Sequence, residues 1–194
     1  SEDKKARILA EALTLFSTRG YVGTSLADIA RASDISKAGL LHHYSSKDQL
    51  LAAVLDERDR RTMSRLPGGD AGAEVALDAW VEMVAHNQRH PDGVALYTAM
   101  SAAVIDADHQ AHPWFRQHLM SAIAYMVDAL ERGKATGEVR ADAPSEQIAR
   151  KLVALSDGLQ VQWLCARVGG GGDVDMRGVT AGVVAEVKDG WLVR

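Results

Sequence analysis

Thr24-Ser25-Leu26-Ala27-Asp28-Ile29-Ala30-Arg31-Ala32-Ser33-Asp34-Ile35-Ser36-Lys37-Ala38-Gly39-Leu40-Leu41-His42-His43-Tyr44 is the stretch whose reading decides the fold. Ser25 followed three residues later by Asp28 is a capping-box pattern, and Leu26, Ile29 and Ala30 then recur at helical spacing. Small Ala30 lets a second helix cross closely. Asp34 falls where the turn needs a left-handed or otherwise unusual backbone, which Asp tolerates better than most residues. Ile35 plugs that turn, Ser36 caps a short helix running to Tyr44, and Leu40 anchors it from the buried side. The opposite face shows Ser36, Lys37, Gly39, His42 and His43. These are small or hydrogen-bonding groups, suited to a helix that enters a groove about 12 Å wide. The spacing is that of a helix-turn-helix.

Outward from this stretch the chain continues to read as helix. Upstream, Ile8, Leu9, Ala12, Leu13 and Phe16 share a face, and Gly20 after Arg19 is a stop signal. Downstream, Ser45 with Asp48, or Ser46 with Gln49, opens a helix carrying Leu50, Leu51, Val54 and Leu55, which fades before Pro67-Gly68-Gly69. Four further helical stretches are expected at about 72–89, 92–106, 113–133 and 144–167, with Pro144 at a first-turn position. Gly169 to Gly172 reads as a flexible break. Beyond it Met176, Val179, Val183, Val187 and Trp191 suggest a last helix, whose glycines and β-branched residues make it dependent on packing. No segment alternates as a strand would. The expectation is an all-α protein of about nine helices, with a DNA-binding domain over residues 1–47 and a helical regulatory domain over 48–194.

Hydrophobic residues are 47% of the 194, enough to build a core and to exclude global disorder. No run approaches the roughly 20 apolar residues that cross a bilayer, and the first residues are charged. Neither signal peptide nor membrane anchor is expected, and the location expected is cytoplasmic. Cys165 is the only cysteine, so neither an internal disulfide nor an all-cysteine metal cage can form. The net charge of −4 is unevenly spread: residues 1–47 sum to +2 and the remainder to −6. A slightly basic head on an acidic body suits a protein that meets phosphates at one end only.

Phe16 before Arg19-Gly20-Tyr21, Thr24-Ser25, Asp28-Ile29-Ala30, Ile35-Ser36-Lys37, Leu40, His42-His43-Tyr44 and Ser46-Lys47-Asp48 with Leu50-Leu51 together resemble the TetR family of bacterial regulators. The resemblance is dense over about the first 55 residues and persists beyond them only as an all-helical pattern. It implies a three-helix DNA-binding head, a fourth helix linking head to body, and a homodimer formed through the last two helices. Carried over by position, Thr24 would cap the first motif helix and contact phosphate, beside Ser25. Ser36, Lys37, Ala38 and Gly39 would lie at the groove. His42, His43 and Tyr44 would meet backbone or base edges, and Lys47 a flanking phosphate. Plainer roles stay open: surface histidines, a Tyr44 that is half core, an ordinary solvated Lys47. Two departures stand out, since Asp34 replaces a frequent turn glycine and Leu41 a frequent phosphate-touching tyrosine. Sequence preference then rests on Lys37, the histidines and DNA shape.

The family resemblance also implies a small-molecule pocket inside the body. Trp80, Met83, Tyr97, Met100, Trp114, Met126 and Trp163 are its candidate apolar lining, although most large side chains of a bundle are simply core. Polar residues on these apolar helices are more telling: Asn87, His118, Asp157 and Gln160. Two apolar stripes are candidates for the dimer contact, Ile148-Leu152-Leu155-Leu159 and Val179-Val183-Val187-Trp191; the first could equally face the body's own core. His86 and His90 share a helix face and His109 and His112 a loop, yet no carboxylate or cysteine cluster accompanies them, so neither metal nor cofactor is expected. No nucleophile–base–orienter set supports an enzyme. The function implied is a repressor that binds a pseudo-palindromic double-stranded operator and is released by an inducer. The alternative is a DNA-binding regulator with no small-molecule ligand, constitutive or governed by a partner protein.

Overall fold

The computed structural model describes residues 2–170 and 172–193; Gly171, inside the expected Gly169–Gly172 break, lies outside the described residues. Among the described residues there are nine α-helices: α1 Glu2–Arg19, α2 Leu26–Ala32, α3 Lys37–His43, α4 Lys47–Met63, α5 Ala73–Gln88, α6 Pro91–Ser101, α7 His112–Thr136, α8 Ser145–Gly169 and α9 Met176–Trp191. A 3₁₀ turn, Ala102–Ile105, completes the stretch expected as one helix to 106. The all-α reading holds, the only β feature described being an isolated antiparallel bridge between Val139 and Leu192. No helix among the described residues is long and apolar enough to cross a membrane.

The chain packs as two compact units. The first runs through the head to Arg61 and takes in His90–Arg116; the second is Thr62–Arg89 together with the chain from Gln117 onward. Residue 47, the expected domain boundary, falls inside the first unit. The reason is packing: Leu50, Leu51, Val54 and Leu55 of α4, Leu96 and Tyr97 of α6, and Phe115 of α7 are buried in the same cluster as Ile8, Phe16 and Ile29. Gly20, at φ +74°, ends α1 as its position suggests. Pro91 occupies the first turn of α6, where its missing N–H is no loss.

In the second unit α5 and α8 run parallel. The backbone N–H groups of Ala73 and Glu74 donate to the Glu138 carboxylate, Trp80 Nε1 donates to Ser156 Oγ, and Gln88 Nε2 donates to the Val174 carbonyl. α9 is antiparallel to α5, with Arg177 paired to Glu82 at one end and Lys188 to Glu74 and Asp78 at the other. α7 does not stop at Gly133 but continues to Thr136, before Gly137 at φ +79°. Gly133 is there for space, since a Cβ would sit 2.4 Å from Val139 Cγ2 and 3.0 Å from Ala73 Cβ. Pro144 precedes α8 as its cap residue rather than sitting in its first turn.

Of the two stripes expected as dimer contacts, the α8 one is buried within the subunit and the α9 one is not. α9 packs inward through Met176, Thr180 and Val184, whereas Val179 is 46% exposed. Thr180 tolerates the interior because its hydroxyl donates to the Met176 carbonyl one turn back. On α8, Ile148, Leu152 and Leu159 are buried within the subunit, which is the core alternative of the two readings. The outward side of α8 carries Ala154, Val161, Cys165 and Val168.

Candidate nucleic-acid interface

Local chemistry sets the orientation of α3. Ser25 caps α2 reciprocally with Asp28, each side chain meeting the other's backbone N–H. α2 then ends with Asp34 at φ +52°, the one left-handed non-glycine residue described. The Asp34 N–H donates to the Arg31 carbonyl and the Ile35 N–H to that of Ala30, the paired bonds of a Schellman stop. Ile35 packs on the head core next to that stop. Ser36 accepts from the Gly39 N–H at 3.0 Å and opens α3. A Cβ on Gly39 would stand 3.2 Å from this capping oxygen, which is why a glycine suits the position.

Leu40 is fully buried and fixes which side of α3 faces out. Ser36, Lys37, Ala38, Leu41 and His42 are exposed, while Gly39 and His43 are half-buried. The two imidazoles stand edge to face with centroids 5.8 Å apart. Desolvation is the first cause that lowers the His43 pKa, followed by surrounding positive charge that includes His42, Lys5 and Lys4. Tyr44 is buried, its phenol pKa raised by desolvation and then by the Glu57 charge. Ser25 is exposed at the start of α2.

Thr24 is not the cap. It is 1% exposed, and its hydroxyl is shared between the carbonyls of Gly20 (2.9 Å) and Leu15 (3.2 Å). Its neighbour Ser25 takes the capping position because the Thr24 side chain is already engaged in holding the end of α1. Lys47 is not an ordinary solvated lysine either. Its Nζ donates to the carbonyls of Tyr21 (2.9 Å) and Thr24 (3.1 Å) and lies 4.2 Å from the Tyr21 ring centroid. Tyr21 in turn donates to the Asp48 carboxylate and packs on Phe16, so α1 and α4 are joined at this corner. Sequence reading gave Arg7 no role, yet its guanidinium donates to the Asp34 carbonyl at the turn; the basic excess of the head was its only signal.

The candidate pocket residues divide between the units. Tyr97, Met100 and Trp114 belong to the first: Tyr97 stacks on Phe115 at 5.0 Å beneath the Arg58 guanidinium, and Trp114 Nε1 donates to Asp56 Oδ1 at 2.9 Å. Trp80, Met83, Asn87, Met126, Gln160 and Trp163 are buried in the second, with His118 and Asp157 half-buried there. Trp80 is held by Ser156, a residue that sequence alone did not single out, whose hydroxyl donates to the Leu152 carbonyl. Asn87 Oδ1 accepts from Thr62 at 3.4 Å. Gln160 is 4% exposed, and its Oε1 has no hydrogen-bond partner. Among the described residues no group of three or more His, Cys, Asp or Glu is arranged to hold a metal ion.

Residues 8–54 match the family model of bacterial regulatory proteins, tetR family. The chain is 39% identical over 80 residues to an HTH-type transcriptional repressor of Mycobacterium tuberculosis strain H37Rv, an alignment covering 40% of this chain and 42% of the relative. It thus spans under half the length of that relative. It is 25% identical over 172 residues to the HTH-type transcriptional repressor AcnR of Corynebacterium diphtheriae, covering 89% of this chain and 84% of AcnR. A crystal structure of a TetR transcriptional regulator from Chloroflexus aurantiacus superposes with a TM-score of 0.82 at 20% identity, over 100% of this chain and 98% of that one. That likeness concerns the fold. Helix-turn-helix geometry and family model agree that the head, residues 8–54, is a DNA-binding domain of the TetR family of bacterial regulatory proteins, and the chain as a whole shares the fold of TetR regulators.

Proposed function

We propose that the chain is a transcriptional repressor that binds a pseudo-palindromic operator as a homodimer and is released by a small molecule held in its second unit. The observation that carries this reading is the outward face of α3, where Ser36, Lys37, Ala38, Leu41 and His42 stand exposed around a buried Leu40. Lys37 and His42 offer hydrogen bonds to base edges or phosphate, and exposed Leu41 offers an apolar contact of the kind a thymine methyl accepts. Two such helices, related by a dimer axis, enter successive major grooves about one helical turn apart. The outward sides of α8 and α9 support the dimer, because Val161, Val168 and Val179 are apolar and exposed there.

The effector half of the proposal rests on the interior of the second unit. A buried amide oxygen without a partner, Gln160 Oε1, lies on the same helix as Trp163 and one turn from Ser156. An unmet buried acceptor costs about 1–3 kcal/mol, which a ligand donor could offset. A ligand changes DNA affinity only through its different affinity for the two conformations. In the first unit the bonds Asp56–Trp114 and Arg58–Tyr97 tie α4 to α6 and α7, so the head would move together with those elements.

Selection of bound sequences from a random DNA pool tests the reading. The expected result is an enriched site with two inverted half-sites whose centres lie about one helical turn apart. A pool that yields no enriched sequence, with binding insensitive to salt, overturns it.

A further inference from the structure

α3 approaches DNA with little positive charge of its own. Lys37 is its only formal cation, Arg31 of α2 is paired with Asp28, and Lys47 turns two protons inward. Binding to a duplex nevertheless draws most of its affinity from neutralised phosphates. The missing charge lies on α1. Lys4, Lys5 and Arg7 are exposed within its first two turns, and only Glu2 and Asp3 share that end with them.

One bond places this end of α1 beside the helix-turn-helix, and the electrostatics of His43 agree with it. Arg7 Nη2 donates to the Asp34 carbonyl at 3.4 Å, which sets this part of α1 against the turn that begins α3. At the far end of α3, the positive charges of Lys5 and Lys4 reach His43, where desolvation is the larger influence on the imidazole. Lys4 lies one helical turn before Arg7, so the bond that holds Arg7 at the turn also brings Lys4 and its neighbour Lys5 to the helix-turn-helix side of the head. All three side chains stay exposed, so their ammonium and guanidinium groups can meet a phosphate without first being dehydrated by the protein.

We propose that Lys4 and Lys5, with Arg7 holding their helix against the turn, form a clamp for the DNA backbone phosphates that flank the groove occupied by α3. Lysine is the fitting residue, because it acts as a flexible point charge that holds phosphate without reading bases. The clamp supplies affinity and register, while discrimination between sequences stays with α3. It rests on the DNA-binding reading above.

The test is the salt dependence of binding to the enriched operator, followed by fluorescence anisotropy, for the wild-type chain and for the double variant Lys4→Ala, Lys5→Ala. Alanine at exposed helical positions keeps the helix, and circular dichroism checks that it has. Loss of two phosphate contacts per subunit, four per homodimer, lowers the magnitude of the slope of log K against log salt by about 1 per lysine, or about 4 in all. Affinity for operator and for unrelated DNA should fall by the same factor. The variant Arg89→Ala, exposed at the end of α5, should leave the slope unchanged. A wild-type slope retained in the double variant overturns the clamp, as does a loss confined to the operator. If the wild-type chain shows no selective, salt-sensitive binding, the repressor reading fails and the clamp fails with it; failure in the double variant alone removes only the clamp.

Discussion

Asp34 is the residue at which backbone conformation and function meet, and substitutions there separate the two. Its φ of +52° lies in the left-handed region, where an L-residue with a Cβ is disfavoured by about 1–2 kcal/mol relative to glycine, and Asp by less than most. Glycine gains more entropy on unfolding, which takes back about 0.5–1 kcal/mol. Asp34→Gly should therefore change stability by only a few tenths to about 1 kcal/mol, in the stabilising direction. Asp34→Asn should be close to neutral, and Asp34→Val, β-branched, should lose about 1–3 kcal/mol. With two compact units, global unfolding need not be two-state, so the informative assay is local. The Ile35 N–H that donates to Ala30 closes the turn at 3.0 Å, and its hydrogen exchange reports opening there. Protection should rank Gly, then Asp and Asn together, then Val. Asp34→Asn also removes a negative charge beside the proposed DNA face, so it should raise operator affinity with no change in protection. Equal protection of the Ile35 amide in the Gly and Val variants would refute the reasoning.

Three further outcomes follow from the geometry. Thr24→Val keeps the shape but deprives the Leu15 and Gly20 carbonyls of their donor, so chemical denaturation should show a loss of about 1–3 kcal/mol that Thr24→Ser largely restores. Gly133→Ala drives a methyl into Val139 and should lower stability by about 1–3 kcal/mol, with Val139→Ala in the same chain relieving part of the clash and thermal melts reading both. His43 has a pKa below its ordinary value of 6.5 in the free protein; a phosphate nearby favours the imidazolium and raises it. Binding then takes up a proton, so operator affinity should strengthen as pH falls through the range below about 6.5, a trend that His43→Gln should flatten in anisotropy titrations across pH.

The helix-turn-helix was readable because its determinants are local. Ser25 with Asp28, Ser36 with Gly39, and Asp34 with the residues just before it are all relations of three to five positions, and such spacing survives in the bare sequence. The misassigned cap at Thr24 shows where that stops. Two adjacent hydroxyl residues look alike until the Leu15 carbonyl, nine positions away, claims one of them. Lys47 reads as a phosphate contact, or more plainly as a solvated lysine, because its protein acceptors lie 23 and 26 residues upstream. In α9 two stripes fit the same helical period, and the buried one contains a threonine whose hydroxyl is satisfied by its own helix. Hydrophobicity alone picks out the outward stripe, the candidate dimer contact, and not the inward one. The Trp80–Ser156 bond joins residues 76 positions apart, and no local spacing could have marked Ser156 as its acceptor.

A junction within the second unit bears on how the protein transmits force. The Val193 N–H donates to the Glu138 carbonyl, the Arg140 N–H donates to the Trp191 carbonyl, and Glu138 holds the first two N–H groups of α5. A tether fused after residue 193 would pull first on these few bonds, and through Glu138 on the start of α5. Detachment of that short seam should be the first yielding event under load, ahead of any loss of the head. A bulky reporter placed there, though distant in sequence from α5, would strain the helix that carries Trp80 and Asn87.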